Sequence, residues 1–261
     1  MGTGEHAVEF AAADPESVAA KSPATQATKP QTNEAQTNGA ASVVRENKPA
    51  VTRAAAKSLL MTGNWGEPVA QADRTGALEV INSEVRGCEQ CEELCGNRSQ
   101  TVFGVGSPSA RLVFVGEGPG ADEDRTGEPF VGAAGKLLNK ILSAAQLKRE
   151  EVYILNTVKC RPPRNRNPTE SEIGNCWGYA ERQLEVIQPE FICCLGSVAA
   201  KTMLQTTQSL GRLRGRFHSW KGAKLIVTYH PAYLLRNEGA KRHVWEDMKM
   251  LVKELGIDLS K

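Results

Sequence analysis

No stretch of this sequence approaches the roughly 18 to 20 apolar residues of a membrane-spanning helix. A membrane partner is therefore not expected. The N-terminus, MGTGEHAVEF, has no apolar h-region and carries Glu5 and Glu9. A secretory signal is not expected, nor an acid-poor transit peptide, so the reading is a cytoplasmic protein. Strong charge is missing too: the formal net charge is +2 and the pI about 8.1. That permits a nucleic-acid partner without requiring one. An even cysteine count is also lacking, since there are seven. In a reducing compartment such thiols bind metal or stay free more often than they form disulfides.

Residues 1–75 lack almost everything a core is built from. The run KSPATQATKPQTNEAQTNGAAS has no aromatic residue and cannot offset its own ordering entropy. The expected organisation is a disordered extension over 1–75, followed by a folded domain over 76–261. Trp65, in SLLMTGNWG, is a candidate docking residue, with a plain linker the preferred reading.

From Ala77 onward, strand-like and helix-like runs alternate. RLVFVG (111–116), EVYILNTV (151–158), FICCLG (191–196) and KLIVTY (224–229) are short, apolar and rich in β-branched residues, as buried strands are. GKLLNKILSAA (135–145) puts Leu137, Leu138, Ile141 and Leu142 on one helical face. A second helix is expected over 169–187, with Thr169 as N-cap and Glu172 completing a capping box. Further helices are expected over 197–204 and 240–255. This alternation predicts an α/β domain, a three-layer αβα sandwich around a central four-stranded parallel sheet. Ligands of such sheets bind beyond the carboxyl ends of the strands. The loops after Val115, Asn156, Leu195 and Tyr229 are therefore the places to look.

Cys88 and Cys91 form a C-x2-C pair before the first of these strands. Cys160 follows the second strand, and Cys176 lies in the next helix. Four thiolates suit Zn²⁺ or an iron–sulfur cluster, and spacing alone leaves both open, with zinc slightly ahead. Cys95 is close enough to compete as a ligand. Cys193 and Cys194 sit within a strand and read as small core hydrophobes.

The loop Gly116-Glu-Gly-Pro-Gly-Ala-Asp-Glu-Asp124 matches G-x-G-x-x-A after a strand. Pro119 in the turn, three following acids and the lack of an acidic residue about 20 positions on argue against a dinucleotide site. Close backbone approach to a flat ligand is the better reading. Phe130, in GEPFVG, either plugs the core or stacks on a bound base. Asn156 ends an apolar run; its amide caps a loop or reads a base edge. Uracil offers an N3–H donor and an O4 acceptor that one Asn complements, whereas cytosine reverses both. His230, in TYHPAYLLR, is structural or functional. Leu234 and Leu235 beside Arg236 suit a wedge entering a DNA stack. The basic stretches KCRPPRNR (159–166) and RLRGR (212–216) suit phosphate contacts.

With GEGPGADED, the PFVG segment, NTVKCRPPRNRNPT, HPAYLLRN and the four cysteines in this order, the sequence resembles family 4 uracil-DNA glycosylases, the iron–sulfur type. The resemblance runs from about Asn82 to Leu255 and leaves the N-terminal extension outside. It implies a [4Fe–4S] cluster on Cys88, Cys91, Cys160 and Cys176, reversing the preference for zinc. It implies uracil contacts from Glu117, Gly118, Pro119, Phe130, Asn156 and His230, of which Glu117, Asn156 and His230 are the expected catalytic set. Other glycosylase families place an Asp where Gly118 stands. A related covalent-trapping group uses a histidine in an inserted loop, which VGAAGKLLNK after Phe130 lacks, so turnover is expected.

The expected activity is hydrolysis of the deoxyuridine N-glycosidic bond, releasing uracil and leaving an abasic site. The expected partner is uracil-containing DNA, contacted by Arg161, Arg164, Arg166, Arg214, Leu234, Leu235 and Arg236. The protein is expected to act as a nucleoid-associated monomer. The rival readings are a non-enzymatic iron–sulfur redox protein and a zinc-dependent nucleic-acid-binding module.

Overall fold

A computed structural model of the chain describes Trp65 and residues 69–260. The disorder expected for 1–75 falls mainly outside the described residues. A 3-10 turn at Gln71–Asp73 leads into helix α1 (Arg74–Arg86), followed by α2 (Glu92–Asn97); two short helices further on are α3 (Ala121–Thr126) and α7 (Leu210–Leu213). Trp65 packs edge-on against Trp220, ring centroids 5.5 Å apart, so it docks on this chain's own core.

Six strands form one sheet: β1 (Val105–Gly106), β2 (Leu112–Gly116), β3 (Tyr153–Asn156), β4 (Phe191–Leu195), β5 (Phe217–Trp220) and β6 (Ala223–Thr228). Their order is β1-β3-β2-β4-β6-β5. The central four, β3-β2-β4-β6, are parallel, as the alternating pattern predicts. The antiparallel edges β1 and β5 were not expected. β1 has two residues, too few to carry a period. β5 reads FHSW, with no apolar alternation, and its hairpin turns on Lys221 and Gly222, both at positive φ.

Alternation along each central strand supplies two cores. Val113 and Val115 join Leu155 and Cys194 under α1, α5 (Glu170–Ile187) and α6 (Ser197–Leu204). Leu112 and Phe114 join Ile154 and Cys193 under α4 (Ala133–Ala144) and α9 (Lys241–Leu255). The result is the three-layer arrangement. Cys193 and Cys194 are core residues on opposite faces.

Helix α5 begins as its sequence dictates. Thr169 Oγ1 accepts from the Glu172 N–H at 3.2 Å, and the Glu172 carboxylate accepts from the Thr169 N–H at 2.7 Å. This box starts the helix that carries Cys176. The apolar stripe of α9 contains one acid, Asp247, whose partners come from the strand and loop beneath it.

Candidate active site and cysteine cavity

The carboxyl ends of β2, β3 and β6 open into one cleft of about 380 Å³, within the size range of small-ligand sites. Register places Gly116 beside Asn156, so the loops after β2 and β3 leave the sheet together. Glu117, Gly118, Pro119, Phe130, Asn156 and His230 all line the cleft, with Glu123, Tyr233 and Arg236. The six uracil-contact residues expected from the sequence thus converge.

Asn156 is 2% exposed. Its Oδ1 is buried and, among the described residues, takes no hydrogen bond. A buried acceptor left unpaired costs roughly 1–3 kcal/mol, which a ligand donor would recover. Its position requires Gly116: a Cβ there would collide with Asn156 Oδ1 and stand 2.7 Å from the Phe130 ring.

Phe130 is mostly buried yet reaches the cleft, with φ at 55°. Two groups hold this unfavourable backbone. Arg149 donates to the Pro129 carbonyl at 2.5 Å. Glu123 Oε1 accepts from the Val131 and Gly132 N–H groups, both at 2.9 Å, while Oε2 accepts from Gly120 at 3.1 Å. Glu123 therefore ties the loop after β2 to the Phe130 segment. The sequence reading treated it only as one acid in a row; its spacing three residues after Gly120 was the available signal.

His230 follows β6 and lies 5.4 Å from the Phe130 ring, centroid to centroid. Its Nδ1 accepts from the Ala232 N–H at 3.1 Å. The proton of the neutral ring is thus on Nε2, leaving that nitrogen a donor. Burial lowers the His230 pKa from 6.5 to about 4, so the ring is neutral at physiological pH. Burial also raises the Glu117 carboxyl above the usual range. The fourth strand-end loop contributes an absence of side chain. Gly196, at φ +92°, would place a Cβ 3.0 Å from His230 Cβ.

A second, smaller cavity is lined by Cys88, Cys91, Cys160 and Cys176, with Cys95 and Arg98. Among the described residues, three of the four sulfurs accept hydrogen bonds from N–H donors, and Cys88 is paired with the Tyr179 hydroxyl. Lys159 N–H donates to Cys176 at 3.2 Å, Arg98 to Cys160 at 3.0 Å and Asn175 to Cys91 at 3.5 Å. Such donors offset thiolate charge. Cys95 instead points its thiol at the Cys88 carbonyl, 3.5 Å away. Among the described residues, no three Cys, His, Asp or Glu side chains form a group suited to one metal ion. Arg98, which also holds the Cys88 carbonyl at 2.9 Å, was not singled out from the sequence. Lys159 was read as part of a basic stretch. It is 1% exposed, and its ammonium donates to the carbonyls of Phe103 and Asn156 at 3.0 and 3.1 Å. It joins the cysteine cavity to the Asn156 strand end.

The expected DNA-contact residues differ in how accessible they are. Leu234 is 1% exposed, inside the α4–α9 core, whereas Leu235 is 50% exposed and is the better placed of the two as a wedge. Arg214 is ion-paired with buried Asp247 at 3.0 Å and donates to the His243 carbonyl at 2.6 Å. Arg166 lines the cleft but grips Glu172 through both nitrogens, at 2.9 and 2.7 Å, and Glu93 at 2.8 Å. Both arginines are already paired with carboxylates of this chain. Arg161 bonds Asn165 at 2.8 Å. Arg164 and Arg236 are exposed.

Comparison with known proteins agrees with this geometry. The model of the uracil DNA glycosylase superfamily matches residues 103–249. A type-4 uracil-DNA glycosylase of Thermotoga maritima is 42% identical over 190 residues, 70% of this chain and 98% of that protein. One of Archaeoglobus fulgidus is 43% identical over 183 residues, 67% of this chain and 92% of the relative. One of Saccharolobus solfataricus is 43% identical over 187 residues, 68% and 86% of the two chains. The chain spans nearly the full length of these relatives, and it belongs to the uracil-DNA glycosylase superfamily, among the type-4 enzymes.

Proposed function

We propose that residues 76–261 form a DNA-repair glycosylase domain that hydrolyses the N1–C1′ bond of deoxyuridine in DNA, releasing uracil and leaving an abasic site. The observation that carries this reading is the Asn156 Oδ1, without a hydrogen-bond partner among the described residues, in the same cleft as a neutral His230 whose Nε2 is a donor. A flipped uracil would stack on Phe130 and give its N3–H to Asn156 Oδ1, with the Asn156 amide on O4. His230 Nε2–H would donate to O2, where negative charge grows as the base departs. Glu117, with Gly118 and Pro119 shaping the wall, would face the oxocarbenium-like sugar and orient water from its partly desolvated carboxylate. Gly118 leaves no room for an acid there, since a Cβ would stand 2.8 Å from Val158 Cγ2. Among the described residues no lysine lines the cleft, and Lys159 is committed to two carbonyls, which supports a monofunctional hydrolase.

Cys88, Cys91, Cys160 and Cys176 would hold a [4Fe–4S] cluster. When bound it would supply a rigid crosslink between the segment before α2, the loop after β3 and α5. The N–H donors on three of the sulfurs support that fit. No helix among the described residues is long and apolar enough to cross a membrane. The proposed setting is the cytoplasmic nucleoid, the partner uracil-containing DNA and the working form a monomer. Half-buried Arg161 and exposed Arg164 and Arg236 would meet phosphates, with Leu235 filling the vacated stack. The deciding experiment is release of free uracil from a single-uracil oligonucleotide, which should occur without strand cleavage. No release under conditions where the protein binds the DNA would reject the reading.

A further inference from the structure

The loop after β6 carries an aromatic column that uracil removal does not require. Its base is the Asp247 carboxylate, buried under α9, which holds Arg214 Nε at 3.1 Å. The Arg214 guanidinium carbon lies 5.5 Å from the centroid of the Tyr229 ring. Tyr229 in turn stacks on Tyr233, with centroids 5.1 Å apart and planes 22° apart. Tyr233 ends the column. It lines the cleft and is 41% exposed, and it sits in α8 (Pro231–Leu234), directly after His230.

We propose that Tyr233 is a stacking platform for the nucleobase adjacent to the flipped uridine. The inference rests on the uracil-DNA reading and deepens it. Each part of the column serves an exposed ring. Stacking on Tyr229 fixes its plane, the cation beneath Tyr229 is anchored by a buried acid, and buried Leu234 pins the short helix from below. The ring is therefore ordered before DNA arrives and loses little freedom on binding. The occupant is a base, because the strand that delivers uracil between Phe130 and His230 must continue past the rim of this cleft. Every base offers a π-face, so the contact is indifferent to sequence. A platform of this kind serves an unpaired neighbour and suits single-stranded or locally opened DNA.

The test uses the full-length protein and oligonucleotides with 2-aminopurine on either side of a non-hydrolysable 2′-fluoro uridine. Fluorescence should be quenched on one flank by the unmodified protein and by Tyr233→Phe, and restored by Tyr233→Ala. Tyr233→Ala should also raise KM for a single-stranded uracil substrate at least about tenfold, the scale of a lost base–aromatic stack. Inhibition by free uracil should persist, because Phe130, Asn156 and His230 are untouched. Equal quenching and equal KM in Tyr233→Ala would overturn the proposal. So would joint loss of quenching, KM and uracil inhibition that Tyr233→Phe fails to restore, since the ring would then only brace the His230 loop. Absence of uracil release by the unmodified protein would reject the glycosylase reading itself, a separate signature.

Discussion

Asn156→Asp tests the base-reading argument most directly. The substitution keeps size and shape, so Gly116 and the Phe130 ring still enclose the new side chain. What changes is one donor. Asn156 offers uracil an acceptor for N3–H and a donor for O4. The carboxyl replaces that donor with an oxygen that repels O4 when ionised. Burial raises such a carboxyl's pKa, and its protonated form offers a donor to cytosine N3 and an acceptor to cytosine N4–H. Each misplaced partner in a dry site costs about 1–3 kcal/mol. Two edge contacts reversed, about 2–6 kcal/mol, therefore lower the uracil-to-cytosine ratio by roughly thirtyfold to twenty-thousandfold, at about 1.4 kcal/mol per factor of ten. Single-turnover release of uracil and cytosine from matched oligonucleotides measures that ratio, and thermal unfolding checks that the fold persists. A folded variant that still discriminates as well as the unmodified protein would refute edge reading by Asn156.

His230→Ala should lower the single-turnover rate about a hundredfold or more, the scale of losing a donor to developing charge, with DNA binding retained; an unchanged rate would remove His230 from the chemistry. Because burial lowers the folded His230 pKa from 6.5 to about 4, its neutral donor form should persist well below pH 6. The acid limb assigned to it in kcat/KM should lie near pH 4, and a limb near 6.5 that disappears in His230→Ala would contradict the assignment. Arg164→Ala should reduce the salt slope of DNA binding by about one. Arg166→Ala should act on stability. Arg166 holds the Glu172 carboxyl down at about 2 from its usual 4.5, so the pair stabilises the fold above about pH 4.5 and loses that contribution as pH falls toward 2. The variant should melt lower at neutral pH and lose less on acidification, and equal Tm values at pH 7 would exclude the bracket. Cys176→Ser should abolish absorbance near 400 nm in anaerobically purified protein, and an unaltered spectrum would mean that the thiol holds no cluster.

The central architecture was written in local sequence. Four short apolar β-branched runs alternating with helical patterns read as parallel strands under helices, and Thr169 with Glu172 marked where α5 begins. The motif residues were legible because a strand-end loop that must approach a ligand closely needs glycine and proline at fixed places, as Gly116 and Pro119 are. The edge strands were not legible, because pairing with β3 and β6, and no internal periodicity, makes Val105–Gly106 and Phe217–Trp220 strands. Tertiary structure alone decided which charges and leucines are available. Arg214 finds its counter-ion 33 positions away in Asp247, and Arg166 one of its two 73 positions away in Glu93. No local pattern signals a partner at that distance. Leu234 and Leu235 are equivalent letters in the sequence, yet one turn of helix seats the first in the core and leaves the second in solvent. Local chemistry thus determined which strand ends bear the site, and long-range packing determined which side chains around it stay exposed.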